Sequence, residues 1–313
     1  MQQGIYHVPV MLQEVIEGLK INPSGIYVDC TFGGGGHSKA ILNKLNDTGK
    51  LIAFDQDEDA KKNLPAGQAG IPDNERIIFI PQNFRHLQKF LRLHKITKVD
   101  GIVADLGVSS YQFDKAERGF STRFNAAMDM RMDQRQELKA IDVLKKYPEE
   151  KLHKMFEQYG EVTNSKTLAR TIVNLRSTTS MQTITDFKNA VHHTVKGNPN
   201  KYFAQVFQAL RIEVNAELES LKEMLQQSIN VLKDNGRIAI ITFHSLEDRI
   251  VKNFFKGSDE VSTDEVYGTK DKNPFTIITK KPVTPGEEEI KRNSRARSAK
   301  LRIAQKNISE KSI

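Results

Sequence analysis

Short apolar runs alternate with helical segments along the first third of the chain. Each run has the length of a strand, and the stretches between the runs have the three- and four-residue spacing of helices. Such alternation is typical of a parallel α/β sheet, in which ligands bind beyond the carboxyl ends of the strands. The predicted strands cover residues 26–30, 51–55, 76–80 and 99–105.

The pattern changes beyond residue 113. The next strand-like run, at 237–243, follows the fourth strand only after about 130 residues, which is far too long for a simple connection. The intervening residues show helical spacing, so the sequence predicts an inserted helical domain. We expect a core formed by residues 1–113 and 216–313, interrupted by a helical, substrate-side insert at 114–215.

The longest helical pattern runs from Phe203 to Leu232. Its apolar positions are three or four residues apart, and neither Pro nor Gly interrupts them. We predict one long helix, which a kink could interrupt, capped at its end by Asn235 and Gly236. A coiled-coil arm is the alternative, but a sustained pattern of flanking charges is missing, which favours core packing.

Four consecutive glycines, Gly33 to Gly36, lie between the first predicted strand and the first predicted helix. Glycine permits positive φ and close approach of a ligand, and a helix start offers unpaired N–H groups. The dinucleotide and P-loop motifs both fail, because Ser38 occupies the position of their last glycine. A loop of this kind that fits neither motif is typical of S-adenosylmethionine-dependent methyltransferases. A glycine-rich surface loop is the alternative.

Two residues just past strands two and three are candidate ligands of a nucleoside. Asp55 ends the second strand, about twenty residues beyond the glycines, where an acid suits the hydroxyls of a ribose. The competing role, capping the next helix, suits Asp57 equally well. Phe84 follows the third strand and could pack on an adenine ring, although core packing is nearly as good an interpretation.

Composition narrows the class of protein. The chain has 313 residues, 38% of them apolar, and neither a signal-peptide pattern nor a run of membrane-spanning length, so we expect a soluble cytoplasmic protein. Its single cysteine, Cys30, excludes a disulfide within the chain and a thiolate metal cluster. We expect Cys30 to pack in the core.

The positive charge is concentrated at the C-terminal end. The formal net charge is +8, and residues 291–313 alone carry eight Lys or Arg against one acid, Glu310. A basic tail on a nearly neutral body indicates a contact with phosphates, with Leu301 and Ile303 anchoring a strand whose Lys300 and Arg302 are exposed. A tail that only improves solubility is an equally good interpretation.

Seven sequence blocks together extend over nearly the whole chain. They are HVPV at 7–10, DCTFGGGGHS at 29–38, DLGVSS at 105–110, ERGFS at 117–121, DMRM at 129–132, QALRIEVN at 208–215 and FHSLEDR at 243–249. In these blocks the chain resembles the family of small-subunit ribosomal RNA cytosine-N(4) methyltransferases, known as RsmH or MraW. The resemblance implies transfer of a methyl group from S-adenosylmethionine to the exocyclic amine of a cytidine in the decoding region of 16S rRNA.

The resemblance also implies a fold and a set of ligands. The fold is a Rossmann-like class I methyltransferase α/β sheet with an inserted all-helical domain, closing with an antiparallel strand pair at 275–279 and 298–304. The aromatic residue that would stack on the target base is not identifiable, because DLGV replaces the usual Asp/Asn-Pro-Pro-aromatic motif after strand four; Tyr111, Phe113, Phe120 and Phe124 are candidates. The implied cofactor ligands are Gly35, Gly36, His37, Asp55, Phe84, Asp105 and Gln112.

The chemistry requires a proton acceptor and no metal. A sulfonium methyl is already activated, so the enzyme mainly has to align the amine, the methyl and the sulfur. The cytosine amine is a poor nucleophile and needs an acceptor for its N–H. Asp105, at the end of strand four, is the first candidate, with a purely cofactor-binding role as the alternative. His244, just past the strand at 237–243, is the second, with packing at least as good an interpretation; the adjacent Ser245 could cap the next helix, in a capping box with Asp248.

Two other classes of function remain open on the sequence alone. A nicotinamide-dependent oxidoreductase would share the strand layout and the ribose-binding acid. A non-catalytic RNA-binding factor for ribosome assembly would use the basic tail and the helical insert without transferring a methyl group. We infer no obligatory protein partner and no membrane association, and we leave a homodimer open.

Overall fold

Seven strands form one mixed sheet in the order β3-β2-β1-β4-β5-β7-β6. In the computed structural model, which describes residues 9–64, 76–257 and 273–308, β1 to β5 are parallel and β7 is antiparallel to both of its neighbours. This order is that of a Rossmann-like sheet. The chain adds β2 and β3 on one side of β1, and then crosses over to add β4 on the other side. The strands are β1 Ile26–Asp29, β2 Lys50–Phe54, β3 Ile77–Ile80, β4 Val99–Asp105, β5 Leu232–Thr242, β6 Phe275–Ile277 and β7 Lys300–Lys306.

The chain divides into two units by its internal contacts. The first consists of residues 1–107 and 219–313 and contains the sheet, and the second consists of residues 108–218. The predicted insert at 114–215 lies inside the second unit. Among the described residues, no helix of either unit is long and apolar enough to cross a membrane.

The core of the first unit lies on both faces of the sheet. Successive side chains of a strand point to opposite faces, so Tyr27 joins one apolar cluster and Val28 the other. Leu51 and Ile52 divide in the same way on β2. The helices of this unit include α1 Leu12–Leu19, α2 Gly36–Leu42, α3 Leu87–Leu93, α11 Ser245–Lys256 and α12 Glu287–Arg292.

The second unit is helical and has a core of its own. Its helices bury Phe156, Phe187 and Phe207, and the rings of the last two lie 6.1 Å apart. Beyond helices, it has one isolated β-bridge among its described residues, between Ala127 and Thr183. The helices are α4 Ser110–Asp114, α5 Ala140–Lys146, α6 Glu149–Gly160, α7 Ser165–Leu175, α8 Ile184–Ala190 and α9 Pro199–Asn215.

The long helix predicted from Phe203 to Leu232, for which a kink was allowed, is interrupted at one residue and forms two helices. The chain forms α9 and then α10 Glu217–Val231, with Ala216 in the left-handed conformation at φ 47° between them. The Asn215 side chain explains the break, because its amide accepts from Met132 N at 2.7 Å and donates to Met130 O at 2.8 Å. A tertiary contact thus ends α9 where the apolar spacing continues.

The predicted helix cap at Asn235 and Gly236 is wrong. Helix α10 ends at Val231, and both residues lie within β5. Asn235 has φ 63°, and the pairing of β5 with β4 changes register between Val99 and Gly101. The turn-forming residues therefore mark a bulge in a strand that begins earlier than predicted.

The predicted exposed basic face of β7 is wrong for Arg302. Only 8% of Arg302 is exposed, and its guanidinium donates to Asp248 through Nε at 2.7 Å and Nη2 at 3.2 Å. Lys306 is buried as well and donates to Leu232 O at 3.1 Å, and its burial lowers the pKa of its ammonium group. Because α11 packs over the face of β7 that carries Arg302, alternation along the strand does not create a solvent face.

Candidate active site

The glycine turn after β1 is closed on one side and open on another. Gly33 and Gly35 have φ of 50° and 75°, a conformation that favours glycine. A Cβ on Gly36 would lie 2.5 Å from the Pro9 ring, whereas a Cβ on Gly34 would meet nothing within 4 Å. The turn therefore packs tightly where α2 begins and leaves its backbone accessible at Gly34.

Asp55 is fixed at the end of β2 by two backbone donors. Its Oδ2 accepts from Gly33 N at 2.7 Å and its Oδ1 accepts from Asp57 N at 2.8 Å. Burial is the largest effect on this carboxyl and raises its pKa to about 7, against these two hydrogen bonds. Asp57 caps the short helix Glu58–Asn63 by accepting from Asp59 N at 3.1 Å, as the sequence allowed. Asp55 thereby joins β2 to the glycine turn and can still accept from the hydroxyls of a ligand.

Asp29, at the end of β1, is a further candidate residue beside the glycine turn, and the sequence did not single it out. The residue is buried, its Oδ1 accepts from Thr31 N at 3.0 Å, and its Oδ2 accepts from Ser38 Oγ at 2.7 Å. Burial raises the pKa of this carboxyl. The signal was present in the sequence, since Asp29 ends a strand just as Asp55 and Asp105 do.

His37 links the glycine turn to β4. The side chain is 5% exposed, and Nε2 lies 3.0 Å from Val10 O. Because a carbonyl oxygen can only accept, Nε2 carries a proton. The other ring nitrogen, Nδ1, lies 3.8 Å from Oδ2 of Asp105. A neutral His37 therefore presents a lone pair, and a charged one a proton, toward Asp105.

Asp105 ends β4 with an unsatisfied acceptor. Its Oδ1 is buried and has no hydrogen-bond partner among the described residues. Burial raises the pKa of this carboxyl to about 6; His37 acts against the shift, and the charge of Asp29 adds to it. A buried acceptor without a donor is costly for the protein alone and fits a site where a ligand supplies the donor.

His244 caps α11. Its Nδ1 accepts from Glu247 N at 3.5 Å, and Glu247 Oε2 accepts from Phe243 N at 2.8 Å. The predicted cap at Ser245 with Asp248 is therefore one residue too late. His244 Nε2 also lies 3.1 Å from Glu247 Oε1 without the alignment of a hydrogen bond. These contacts give the imidazole a structural task at the start of the helix.

The remaining predicted ligands fall into both units. Phe84 begins a short helix after β3 and is half-buried against the core, and the preceding Asn83 donates from Nδ2 to Gln56 Oε1 at 2.8 Å. Gln112 belongs to the second unit, where its side chain and that of Ser109 form the capping box of α4. The structure thus places Gly35, Gly36, His37, Asp55, Phe84 and Asp105 at or just beyond the carboxyl ends of β1 to β4.

Comparison with known proteins identifies the family. The model of the MraW methylase family matches residues 4–307. A ribosomal RNA small subunit methyltransferase H from Flavobacterium johnsoniae is 51% identical over 96% of this chain and 98% of its own length. Proteins with the same name from Cytophaga hutchinsonii and Bacteroides thetaiotaomicron are 50% and 49% identical, over 96% of this chain and over 100% and 97% of their own lengths. The chain belongs to the MraW methylase family.

Proposed function

We propose that this protein transfers a methyl group from S-adenosylmethionine to the exocyclic N(4) amine of a cytidine in the decoding region of 16S rRNA. The family membership and the name shared by full-length relatives support this function. The observation that carries the chemistry is the buried Oδ1 of Asp105, an acceptor without a donor at the end of β4. Neither alternative, an oxidoreductase or a non-catalytic assembly factor, gains support from the comparisons.

The residues at the strand ends fit S-adenosylmethionine, on which the family depends. When bound, this cofactor supplies an activated methyl group. We propose that Asp55 accepts hydrogen bonds from the ribose, that Phe84 packs on the adenine, and that Gly35, Gly36 and His37, beside the open backbone of Gly34, border the cofactor. Gln112 remains a proposed ligand from the second unit.

Asp105 is the proposed proton acceptor. Its free Oδ1 can accept an N–H of the cytosine amine and hold the amine for attack on the methyl carbon. As the new N–C bond forms and the methyl–sulfur bond breaks, the amine becomes cationic, and one of its protons passes to the carboxylate. A charged His37, whose Nδ1 lies 3.8 Å from Oδ2, favours the ionised carboxylate that accepts this proton. His244 stays the second candidate, although its capping contacts favour Asp105.

Transfer of labelled methyl to purified small ribosomal subunits, followed by nucleoside analysis, tests this function. We expect the label in N(4)-methylcytidine. The Asp105→Asn variant should turn over about 100-fold more slowly with much less effect on cofactor binding. Label in another nucleoside, or no label, would contradict the proposal. Equal losses of turnover and cofactor affinity would leave Asp105 a cofactor ligand only.

The setting of the reaction follows from its substrate. We propose that the protein acts in the cytoplasm on RNA within the small subunit, without an obligatory protein partner, and that a homodimer is compatible with this role. Sedimentation of the protein alone measures its oligomeric state. Activity of the purified chain on purified subunits checks that no further protein is needed.

A further inference from the structure

Two aromatic rings of the second unit are exposed. Tyr111 is 42% exposed and Phe124 is 39% exposed, and they are the aromatic residues among the exposed large apolar side chains of the described chain. The other two candidates for base stacking differ, since Phe120 is buried in the core and Phe113 packs against it. We call Tyr111 and Phe124 the aromatic pair.

Each ring of the aromatic pair has a cation beside it. Lys115 Nζ lies 4.3 Å from the centroid of the Tyr111 ring, and the Arg123 guanidinium lies 5.7 Å from that of Phe124. Arg123 Nη2 also lies 3.4 Å from Asp114 Oδ1 in α4. This ion pair connects the two segments that carry the rings. Exposed rings beside Lys and Arg are the arrangement on which unpaired bases stack.

A hydrogen bond joins this region to α8. Asn125, next to Phe124, accepts through Oδ1 from Thr185 N at 3.2 Å. Lys188 of the same helix has its Nζ 5.2 Å from the centroid of the Phe203 ring, near the start of α9. Helix α8 therefore connects the region of the aromatic pair to the first turns of α9, where Lys201 lies.

The chain beyond this point is basic and free of acids. No Asp or Glu occurs between Asp186 and Glu213. We call residues 187–201 the basic segment. Its charged and titratable side chains include Lys196, Lys201, His192 and His193, all exposed, and the half-exposed Lys188.

We propose that the aromatic pair and the basic segment form a face that binds single-stranded RNA, the rings stacking on unpaired bases and the lysines contacting phosphates. The identity of the RNA rests on the proposed function, because a cytidine within a folded subunit must be unpaired and displaced to be methylated. The two acids beside the rings, Asp114 and Glu117, cancel the formal charge of Lys115 and Arg123. The rings therefore contribute stacking, and the basic segment contributes the electrostatic attraction.

The sequence contains no tryptophan, which permits a direct optical test. Phe124→Trp introduces a single fluorophore that can still stack, and Leu93→Trp, at a position 65% exposed on α3 of the first unit, is the matched control. Addition of a short oligocytidylate should quench the first variant and leave the second unchanged. Equal quenching of both, or none, would overturn the proposal. Quenching of Phe124→Trp by polyglutamate as strong as that by oligocytidylate would also overturn it and assign the face to acidic proteins.

Affinity and its salt dependence separate the two parts of the face. Tyr111→Ala and Phe124→Ala should each weaken oligocytidylate binding by about 10-fold and leave the salt slope as it was. Replacing Lys188, Lys196 and Lys201 with Ala should lower the slope by about two, since each phosphate contact on a single strand contributes about 0.7. A changed slope for the ring variants, or an unchanged one for the lysine variant, would contradict these roles.

Methyl transfer by the wild-type protein distinguishes this proposal from the proposed function. If the protein methylates small subunits but neither ring variant binds oligocytidylate more weakly, the face is wrong and the function stands. If the ring variants lose affinity while the wild-type protein transfers no methyl group, the face is supported and the function is wrong.

Discussion

Two acids of the first unit, Asp105 and Asp248, show opposite electrostatics. Asp248 lies in the first turn of α11 and contacts Arg302 and Lys300 of β7. The hydrogen bonds and charges of these two residues outweigh burial and lower the pKa of Asp248. Asp105 ends β4 beside His37, and burial dominates and raises its pKa to about 6. The protein thus stabilises the carboxylate of Asp248 as an anion, whereas it leaves the carboxylate of Asp105 with an unused acceptor.

The difference separates a residue that stabilises the fold from a candidate residue of the site. Asp248 is satisfied within the protein, and its contacts hold α11 against β7. Asp105 leaves Oδ1 without a partner among the described residues, and an acceptor of this kind gains from a ligand that donates. A carboxyl at a strand end with a raised pKa and an unsatisfied oxygen is therefore a better guide to function than a buried carboxyl alone.

Asp248→Asn should have the largest effect, on stability. The variant leaves Arg302 buried without its counter-charge, which costs about 3–5 kcal/mol. Since the pKa of Asp248 is lowered by folding, its contribution is present above the unfolded pKa and is lost as the pH falls. Urea unfolding measures the loss. Glu288→Gln, which breaks the exposed pair with Arg292, is the control and should change little. Equal stability of Asp248→Asn and wild type would refute this role.

Asp55→Ala should weaken S-adenosylmethionine binding by about 1–3 kcal/mol while the fold survives. The variant removes the proposed acceptor of the ribose hydroxyls and the partner of Gly33 N. Isothermal titration measures the affinity, and Asp59→Ala, on the short helix that follows, serves as the control. An unchanged affinity would remove Asp55 from the site.

Asp105→Asn should stabilise the cofactor-free protein near neutral pH by about 2 kcal/mol. Each unit of pKa shift corresponds to about 1.4 kcal/mol, and the partial exposure of the side chain reduces the total. The pKa rises on folding from 3.8 to about 6, so wild type loses stability as the pH rises through this range and the carboxyl ionises. The gain should therefore be absent below about pH 4 and constant above about pH 6. Thermal unfolding across this range measures it. A variant less stable than wild type at neutral pH would show that other groups of the folded protein compensate the negative charge of Asp105.

The smallest effect concerns the tail. Arg292, Arg295 and Arg297 stay exposed, unlike Arg302, and remain the predicted phosphate contacts. Their replacement with Ala should lower the salt slope of RNA binding by about two to three units and leave cofactor affinity as it was. Replacing three exposed lysines elsewhere in the first unit is the matched control: Lys44, Lys50 and Lys61. An unchanged slope for the arginine variant would assign the tail to solubility.

Local patterns were sufficient to predict the parallel strands and the acids at their ends that form the candidate site. Strand positions followed from short apolar runs, and the ends of β2 and β4 gave Asp55 and Asp105. The Rossmann-like methyltransferase sheet and its closing antiparallel strand pair followed from the family resemblance and are confirmed. Asp29 was open to the same reasoning, because it also ends a strand.

The missed features depend on contacts between distant segments. The apolar spacing continues through the break at Ala216, which the Asn215 amide determines by binding the backbone of residues 130 and 132. Arg302 alternates like an exposed residue, but Asp248, far away in sequence, makes its burial favourable. The pairing of Asp105 with His37 likewise requires the crossover that places β4 beside β1.

The pH dependence of single-turnover methyl transfer, at saturating cofactor, tests the role of Asp105 most directly. On small ribosomal subunits, the wild-type rate should rise as the pH passes through about 6 and then level off, since the carboxylate must be ionised to accept the proton. The Asp105→Asn variant should be about 100-fold slower and lack this rise. A variant that keeps the wild-type rise, or a wild-type rate that does not change with pH in this range, would contradict the assignment of Asp105 as the proton acceptor.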